Sequence, residues 1–237
     1  MGARSMTAAL PSIAPPRLIE VAGVAGAGKS TLTRSICDRP GFRVGGFIHA
    51  RRPSDLLQVF IGAPRSLPIL VSGGWRAPRM SWAEFKLMMY VTRWRSVFRR
   101  DRDRRDGITV LDQGPFYALV RLKAEGKPFT TTRVFERWWD DMLRLWAREL
   151  DVIIWLDAPD EVLRDRINGR AQHHRQKGRL ADEAHGFLAR YRLAFEGALR
   201  TMEDLGTPEV LRYDTERTST AQLTSTIQPI LIAHARA

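Results

Sequence analysis

Apolar residues along this chain fall into short runs separated by longer, amphipathic stretches. The runs are at 17–22 (Arg-Leu-Ile-Glu-Val-Ala), 108–112 (Ile-Thr-Val-Leu-Asp) and 151–157 (Asp-Val-Ile-Ile-Trp-Leu-Asp), with weaker ones at 42–49 and 209–213. Runs this short, bounded by turn residues, read as buried strands. Between them, helices are expected at 30–38, 81–105, from Pro115 onward, and at 131–149, 160–168, 182–204 and 218–235. Ser81 with Glu84 forms a capping-box pattern, Gly107 stops that helix, and Pro115 suits a first helical turn. Trp138, Trp139 and Trp146 are expected in the core. Residues 54–80 are rich in Pro and Gly and read as irregular structure around a short helix at 54–60. Strands alternating with helices predict an α/β fold: a mostly parallel sheet covered on both faces. Such sheets bind ligands at the carboxyl ends of their strands.

The first strand runs directly into Gly23-Val24-Ala25-Gly26-Ala27-Gly28-Lys29-Ser30-Thr31. This fits the phosphate-binding pattern G-x-x-x-x-G-K-[ST], and it lies between a predicted strand and a predicted helix, as that loop requires. Its glycines let the main chain approach an anion closely. The N–H groups of Gly23, Ala25, Gly26, Ala27 and Gly28 would then line one concavity, helped by the start of the helix. Lys29 would reach the β- and γ-phosphates of ATP, and Ser30 would ligate Mg²⁺ with Thr31 beside it.

Composition narrows the class. A chain of 237 residues with 44% hydrophobic content is large enough for one sizeable globular domain, expected over 17–237. There is no apolar run of about 18 residues to cross a membrane. Residues 1–16, with Pro11, Pro15 and Pro16, read as a disordered leader, and Met6 is an alternative start. The one cysteine, Cys37, allows no intramolecular disulfide and suits the cytoplasm. The net charge of +12 is carried mostly by Arg and has three open readings: arginines that grip small anionic substrates, a nucleic-acid surface, or a GC-rich coding sequence.

Two further signals accompany the loop. Asp112 ends an apolar strand, where a carboxylate can hold Mg²⁺ or accept the proton of an attacking hydroxyl. Gln113 and Gly114 continue the turn and are placed to contact substrate. Arg166 and Arg170 are spaced to share a helix face, and Arg175 and Arg179 follow in a polar stretch expected to form a lid at about 168–181. Arginines on a closing lid stabilise charge on a transferred phosphoryl group and exclude water. A solvated basic loop is the plainer alternative. His173, His174 and His185 fit no common zinc spacing. The basic run at 93–105 is interleaved with acids and reads mainly as a solvated helix end, with Arg93 and Trp94 the better candidates for a substrate site.

Taken in order, these residues resemble the P-loop nucleoside and nucleotide kinases, most closely the thymidylate-kinase-like branch. The resemblance spans about 17–215 and is carried by the loop, by Arg93 ahead of Val110-Leu111-Asp112-Gln113, by Trp155-Leu156-Asp157-Ala158-Pro159 with Arg166 and Arg170, and by Phe187-Leu188 through Tyr191. It implies a three-layer sandwich around five strands, ATP–Mg²⁺ as donor, and transfer to a small nucleoside, nucleotide or similar acceptor. It also implies that Arg93 grips the acceptor, that lid arginines steady the transferred group, and that a homodimer forms through long helices. The chain departs from the pattern at Gln113, where thymidylate kinases carry Arg, and at His49-Ala50-Arg51-Arg52-Pro53, where they carry Arg-Glu-Pro. His49 stands nearest the position of the nucleoside kinases' base, with Arg51 beside it as a further substrate contact. A sugar, an antibiotic or another alcohol therefore remains open as acceptor. Outside this class, a polynucleotide-directed kinase and a nucleotide-binding switch ATPase also use such a loop; the Asn-Lys-x-Asp motif of GTPase switches is absent from the sequence.

Overall fold

The computed structural model describes residues 18–45, 80–104, 107–125, 128–169 and 181–236. Among these residues five strands form one sheet: β1 (Leu18–Gly23), β2 (Phe42–Gly45), β3 (Ile108–Asp112), β4 (Val152–Asp157) and β5 (Glu209–Asp214). Their order is β2-β3-β1-β4-β5, and every pairing is parallel. The central strands β1, β3 and β4 are the most apolar in sequence, and β1 is buried throughout. Parallel central strands are covered on both faces, which is why their sequences run apolar rather than alternating.

Seven α-helices lie among the described residues: α1 (Lys29–Cys37), α2 (Trp82–Arg104), α3 (Pro115–Ala124), α4 (Arg133–Ala147), α5 (Asp160–Asn168), α6 (Ala181–Asp204) and α7 (Thr220–Arg236). They pack in two groups. In the first, α1 lies against α7, tied by Thr224 Oγ1 donating to Ser35 Oγ at 2.9 Å and by Gln228 Nε2 donating to the Ile36 carbonyl at 3.2 Å. In the second, α3 packs against α2, α4 and α6. Trp139 and Trp146 are buried there and donate their indole N–H groups to the carbonyls of Leu119 (3.0 Å) and Val91 (3.3 Å). Large rings of this kind supply apolar area while their polar edge stays satisfied.

Local chemistry sets the helix ends. The predicted capping box closes α2: the Ser81 N–H donates to Glu84 Oε2 (2.6 Å) and the Glu84 N–H donates to Ser81 Oγ (3.3 Å). A second box, Ser219 with Gln222, opens α7, two residues later than the sequence indicates. The helix expected from 131 begins at Arg133, because Pro128–Thr131 forms a 3-10 turn and Thr132 is the cap, its hydroxyl accepting from the Phe135 N–H at 3.3 Å. The strand expected over 42–49 is described to Gly45. The leader at 1–16, the short helix at 54–60 and residues 170–180 of the expected lid lie outside the described residues.

Candidate functional site

The loop that joins β1 to α1 folds tightly because three of its positions lack side chains. Gly28 caps α1 in the left-handed region (φ 90°), and its carbonyl accepts from the N–H groups of Thr31 (3.1 Å) and Leu32 (3.0 Å). A side chain at Gly28 would meet open space, so backbone conformation alone demands glycine there. At Gly23 the constraint is contact: a Cβ would lie 2.4 Å from the Leu156 carbonyl oxygen of β4. At Gly26 a Cβ would lie 2.8 Å from the Leu163 carbonyl oxygen of α5. The loop is therefore wedged against β4 and α5.

Lys29 opens α1 and is only 7% exposed. Its ammonium donates to the Val24 carbonyl at 2.8 Å, curling back over its own loop. It also lies 5.8 Å from the centre of the Tyr117 ring, which belongs to the first turn of α3. Ser30 is half-buried and Thr31 exposed on the same first turn of α1.

Beside the loop is a cavity of about 370 Å³. Its walls include Gly26, Gly28 and Thr31 from the loop, Arg166 from α5, and Thr215 and Ser219 from the β5–α7 connection. This volume falls in the range of small-molecule sites, roughly 300–1,000 Å³. Arg166 crosses the wall and donates to Thr215 Oγ1 and to the Thr215 carbonyl, both at 2.8 Å. Thr215 is in turn bound to the end of β4, its N–H and hydroxyl both donating to the Asp157 carbonyl (2.8 and 3.2 Å). Arg166 is thus part of the cavity wall. The helix carrying it closes at Asn168, where the Gly169 N–H donates to the Asp165 carbonyl at 2.9 Å. The expectation of a shared helix face for Arg166 and Arg170 extends past this end; Arg170, Arg175, His49 and Arg51 lie outside the described residues.

Near Lys29 is the β3–α3 turn. Asp112 pairs in register with Val21 of β1, two residues before the loop begins. Asp112 Oδ1 is buried and has no hydrogen-bond partner among the described residues. An unsatisfied buried acceptor is costly, and such atoms concentrate where a ligand or ion is meant to supply the partner. Gln113 follows with φ 61°, a left-handed conformation unusual for a residue with a long side chain.

Glu20 has no assigned role in the sequence, where it is a lone acid inside an apolar run. Its carboxylate is fully buried and accepts the N–H groups of Phe116 (2.9 Å) and Tyr117 (2.7 Å). Burial pushes its pKa up to about 8; the backbone hydrogen bonds oppose this, and the charge of Asp112 adds to it. Arg192 is a second residue that the sequence did not reveal. It donates to both Asp157 oxygens (2.7 and 3.2 Å) and to Asp160 Oδ1 (2.8 Å), and His185 contacts the other oxygen of Asp160. The hydrogen bond to Asp157 is the main cause holding the Arg192 guanidinium above its usual range. Both residues were hidden by sequence distance: their partners lie 96 and 97 residues away for Glu20, and 32 and 35 for Arg192.

Arg93 is half-buried on α2. Its neighbour Trp94, expected near the substrate, is 1% exposed and packs with Tyr90 (ring centres 4.2 Å apart) and Phe98 (5.4 Å). That corrects the expectation: consecutive helix residues point about 100° apart, and Trp94 takes the core side. Among the described residues no cluster of three His, Cys, Asp or Glu could hold a metal ion, and no helix is long and apolar enough to cross a membrane.

No family model and no curated protein matches this sequence. Solved structures do match it in fold. The deoxyadenosine kinase of M. mycoides with bound dATP superposes with a TM-score of 0.53 at 16% identity, over 90% of this chain and 98% of the other. The thymidylate kinase of Candida albicans superposes with a TM-score of 0.57 at 14% identity, over 92% of each chain. At these identities the likeness is one of fold, and it agrees with the five-stranded parallel sheet expected from the sequence.

Proposed function

We propose that this chain is an ATP-dependent kinase that transfers the γ-phosphoryl group to a small acceptor of the nucleoside or nucleotide class, or to a similar alcohol. The observation that carries this is the Gly23–Ser30 loop at the end of β1, with a cavity of about 370 Å³ walled by the loop and by Arg166 of α5, and with the neighbouring strand β3 ending in Asp112, whose Oδ1 has no partner among the described residues. The cavity suits a nucleotide and the strand end a reacting group. The kinases of the same fold bind or act on nucleosides and nucleotides, which supports the choice of class.

The loop amides and Lys29 bind the phosphates, with the lysine exchanging the Val24 carbonyl for a phosphate oxygen. The donor's base and sugar occupy the cavity against Arg166 and Thr215. Ser30 and Asp112 are the residues that would hold Mg²⁺, and the Asp112 oxygen without a partner among the described residues fits that duty. Bound there, the ion neutralises phosphate charge. In transfer, the acceptor oxygen forms a bond to the γ-phosphorus as the bond to the β–γ bridging oxygen breaks and ADP leaves. In the alternative role for Asp112, as base rather than magnesium ligand, the proton of a hydroxyl acceptor passes to its carboxylate. In this reading Arg93 and Gln113 contact the acceptor, together with His49 and Arg51. Arg170 and Arg175 close over the phosphates, and a cytoplasmic setting fits the dependence on ATP.

The acceptor class is tested by ATP consumption with Mg²⁺ against separate pools of nucleosides, nucleoside monophosphates, sugars, aminoglycosides and polynucleotide ends. Stimulation by a small-molecule pool is expected. Stimulation by polynucleotide ends alone, with binding that weakens steeply with salt, would replace this proposal with a nucleic-acid-directed kinase.

A further inference from the structure

We propose that Glu20 is a positioning residue: by clamping the first turn of α3 to β1 it fixes Asp112, Gln113 and Tyr117 beside Lys29. This rests on the kinase reading for its consequence and on geometry for its existence.

The first amides of a helix have no intrahelical partner. In α3 the first residue is Pro115, which has no N–H, and the cap is Gly114, which has no side chain to offer. The next two amides, of Phe116 and Tyr117, are taken instead by Glu20 from the neighbouring strand. A carboxyl group from another element thus does what a capping Ser or Asp does locally. Gly114 makes room for it: a Cβ there would lie 2.6 Å from Glu20 Oε2.

The turn from Asp112 to Gly114 is consequently held at both ends. Before it, β3 is locked to β1 by pairing up to Asp112. After it, the same strand grips α3 through Glu20. Between these two anchors Gln113 adopts its left-handed conformation (φ 61°), a state that persists only where the surroundings over-determine it. The Tyr117 amide is one of the two gripped groups, and the Tyr117 ring is the one that approaches Lys29. A single buried side chain on the strand that leads into the phosphate loop therefore sets the distance from that loop to the opposing turn. Phosphoryl transfer is sensitive to such distances, because a misplacement of about 1 Å can cost on the order of 100-fold in rate.

Two variants of the full chain test this. Glu20→Gln keeps the shape but turns an NH₂ toward the amides, so one bond is lost. Gly114→Ala keeps the carboxylate and displaces it. Amide exchange at Phe116 and Tyr117 is compared with wild type under native conditions, together with kcat and KM for ATP using the nucleoside and nucleoside monophosphate pools. Exchange faster by about tenfold or more is expected at one of these two amides in Glu20→Gln and at both in Gly114→Ala. A fall in kcat of about tenfold or more is expected with it, while KM for ATP changes less than about twofold and the protein remains folded at the assay temperature. Unchanged exchange in Glu20→Gln, or unchanged kcat despite faster exchange, would overturn the proposal. If the wild type turns over neither pool, that result counts against the kinase reading, and the exchange comparison still decides the clamp.

Discussion

Arg166 and Thr215 pin two walls of the nucleotide-sized cavity together: one guanidinium donates to both the hydroxyl and the carbonyl of the same threonine, each at 2.8 Å. The contact joins α5 to the connection after β5, elements 49 residues apart in sequence. In the proposed kinase this contact assigns Arg166 to the wall of the donor cavity. Arg166→Ala is expected to raise KM for ATP by about tenfold, in keeping with charge-assisted hydrogen bonds of roughly 1.5–3 kcal/mol, and to lower kcat less. ATP titrations of wild type and variant check this. A collapse of kcat at unchanged KM would instead assign Arg166 to the transition state.

Gly23 and Gly28 of the loop should fail for different reasons. In Gly23→Ala the new Cβ meets a backbone oxygen of β4 at 2.4 Å, which cannot swing aside. A loss of about 1–3 kcal/mol of stability is expected from such overpacking. In Gly28→Ala the side chain enters open space and only the φ of 90° is penalised, by about 1–2 kcal/mol. Thermal melts paired with ATP binding separate the two. Gly23→Ala should lower the melting temperature at least as much as Gly28→Ala, and the reverse order would contradict the packing described.

Glu20 gives the fold a pH signature. Its pKa rises from 4.5 to about 8 on folding. Below 4.5 both states carry the proton, so the group's contribution to stability is fully present. Between 4.5 and 8 the unfolded chain has released the proton and the folded chain has not, so stability falls as pH rises. The slope from this group is at most about 1.4 kcal/mol per pH unit, with no further change above pH 8. Glu20→Gln lacks this titration. The stability difference between wild type and variant, from denaturant unfolding across that range, should therefore shrink as pH rises. A difference that grows with pH would mean that the Phe116 and Tyr117 amides hold the carboxylate charged.

Trp146 is fully buried beneath α2, with its indole N–H on the Val91 carbonyl. Trp146→Ala is expected to cost about 3–5 kcal/mol and to lower the melting temperature by on the order of 10 °C. A shift under about 2 °C would place this ring outside the cooperative core.

How much of this was legible in the sequence follows from the range of each interaction. The phosphate loop, the capping box at Ser81 and Glu84, and α5 over 160–168 rest on contacts within a few residues, and each reads directly from the chain. The acid at the end of β3 was legible too, because a carboxylate closing an apolar run stands out. That its Oδ1 has no partner among the described residues depends on how the strands and helices meet. Glu20 and Arg192 were illegible because burial and partners come from strands and helices brought together only by the sheet. Trp94 misled because adjacency to Arg93 says nothing about which side of α2 each occupies.

The proposed phosphoryl transfer from ATP at the site of Lys29 and Asp112 is tested most directly with γ-labelled ATP, Mg²⁺ and the pooled small acceptors, comparing wild type with Lys29→Ala and Asp112→Asn. Label should move from ATP to an acceptor in the wild type, and fall by about 100-fold or more in each variant while both remain folded. Wild-type transfer by Lys29→Ala would contradict the assignment of this site.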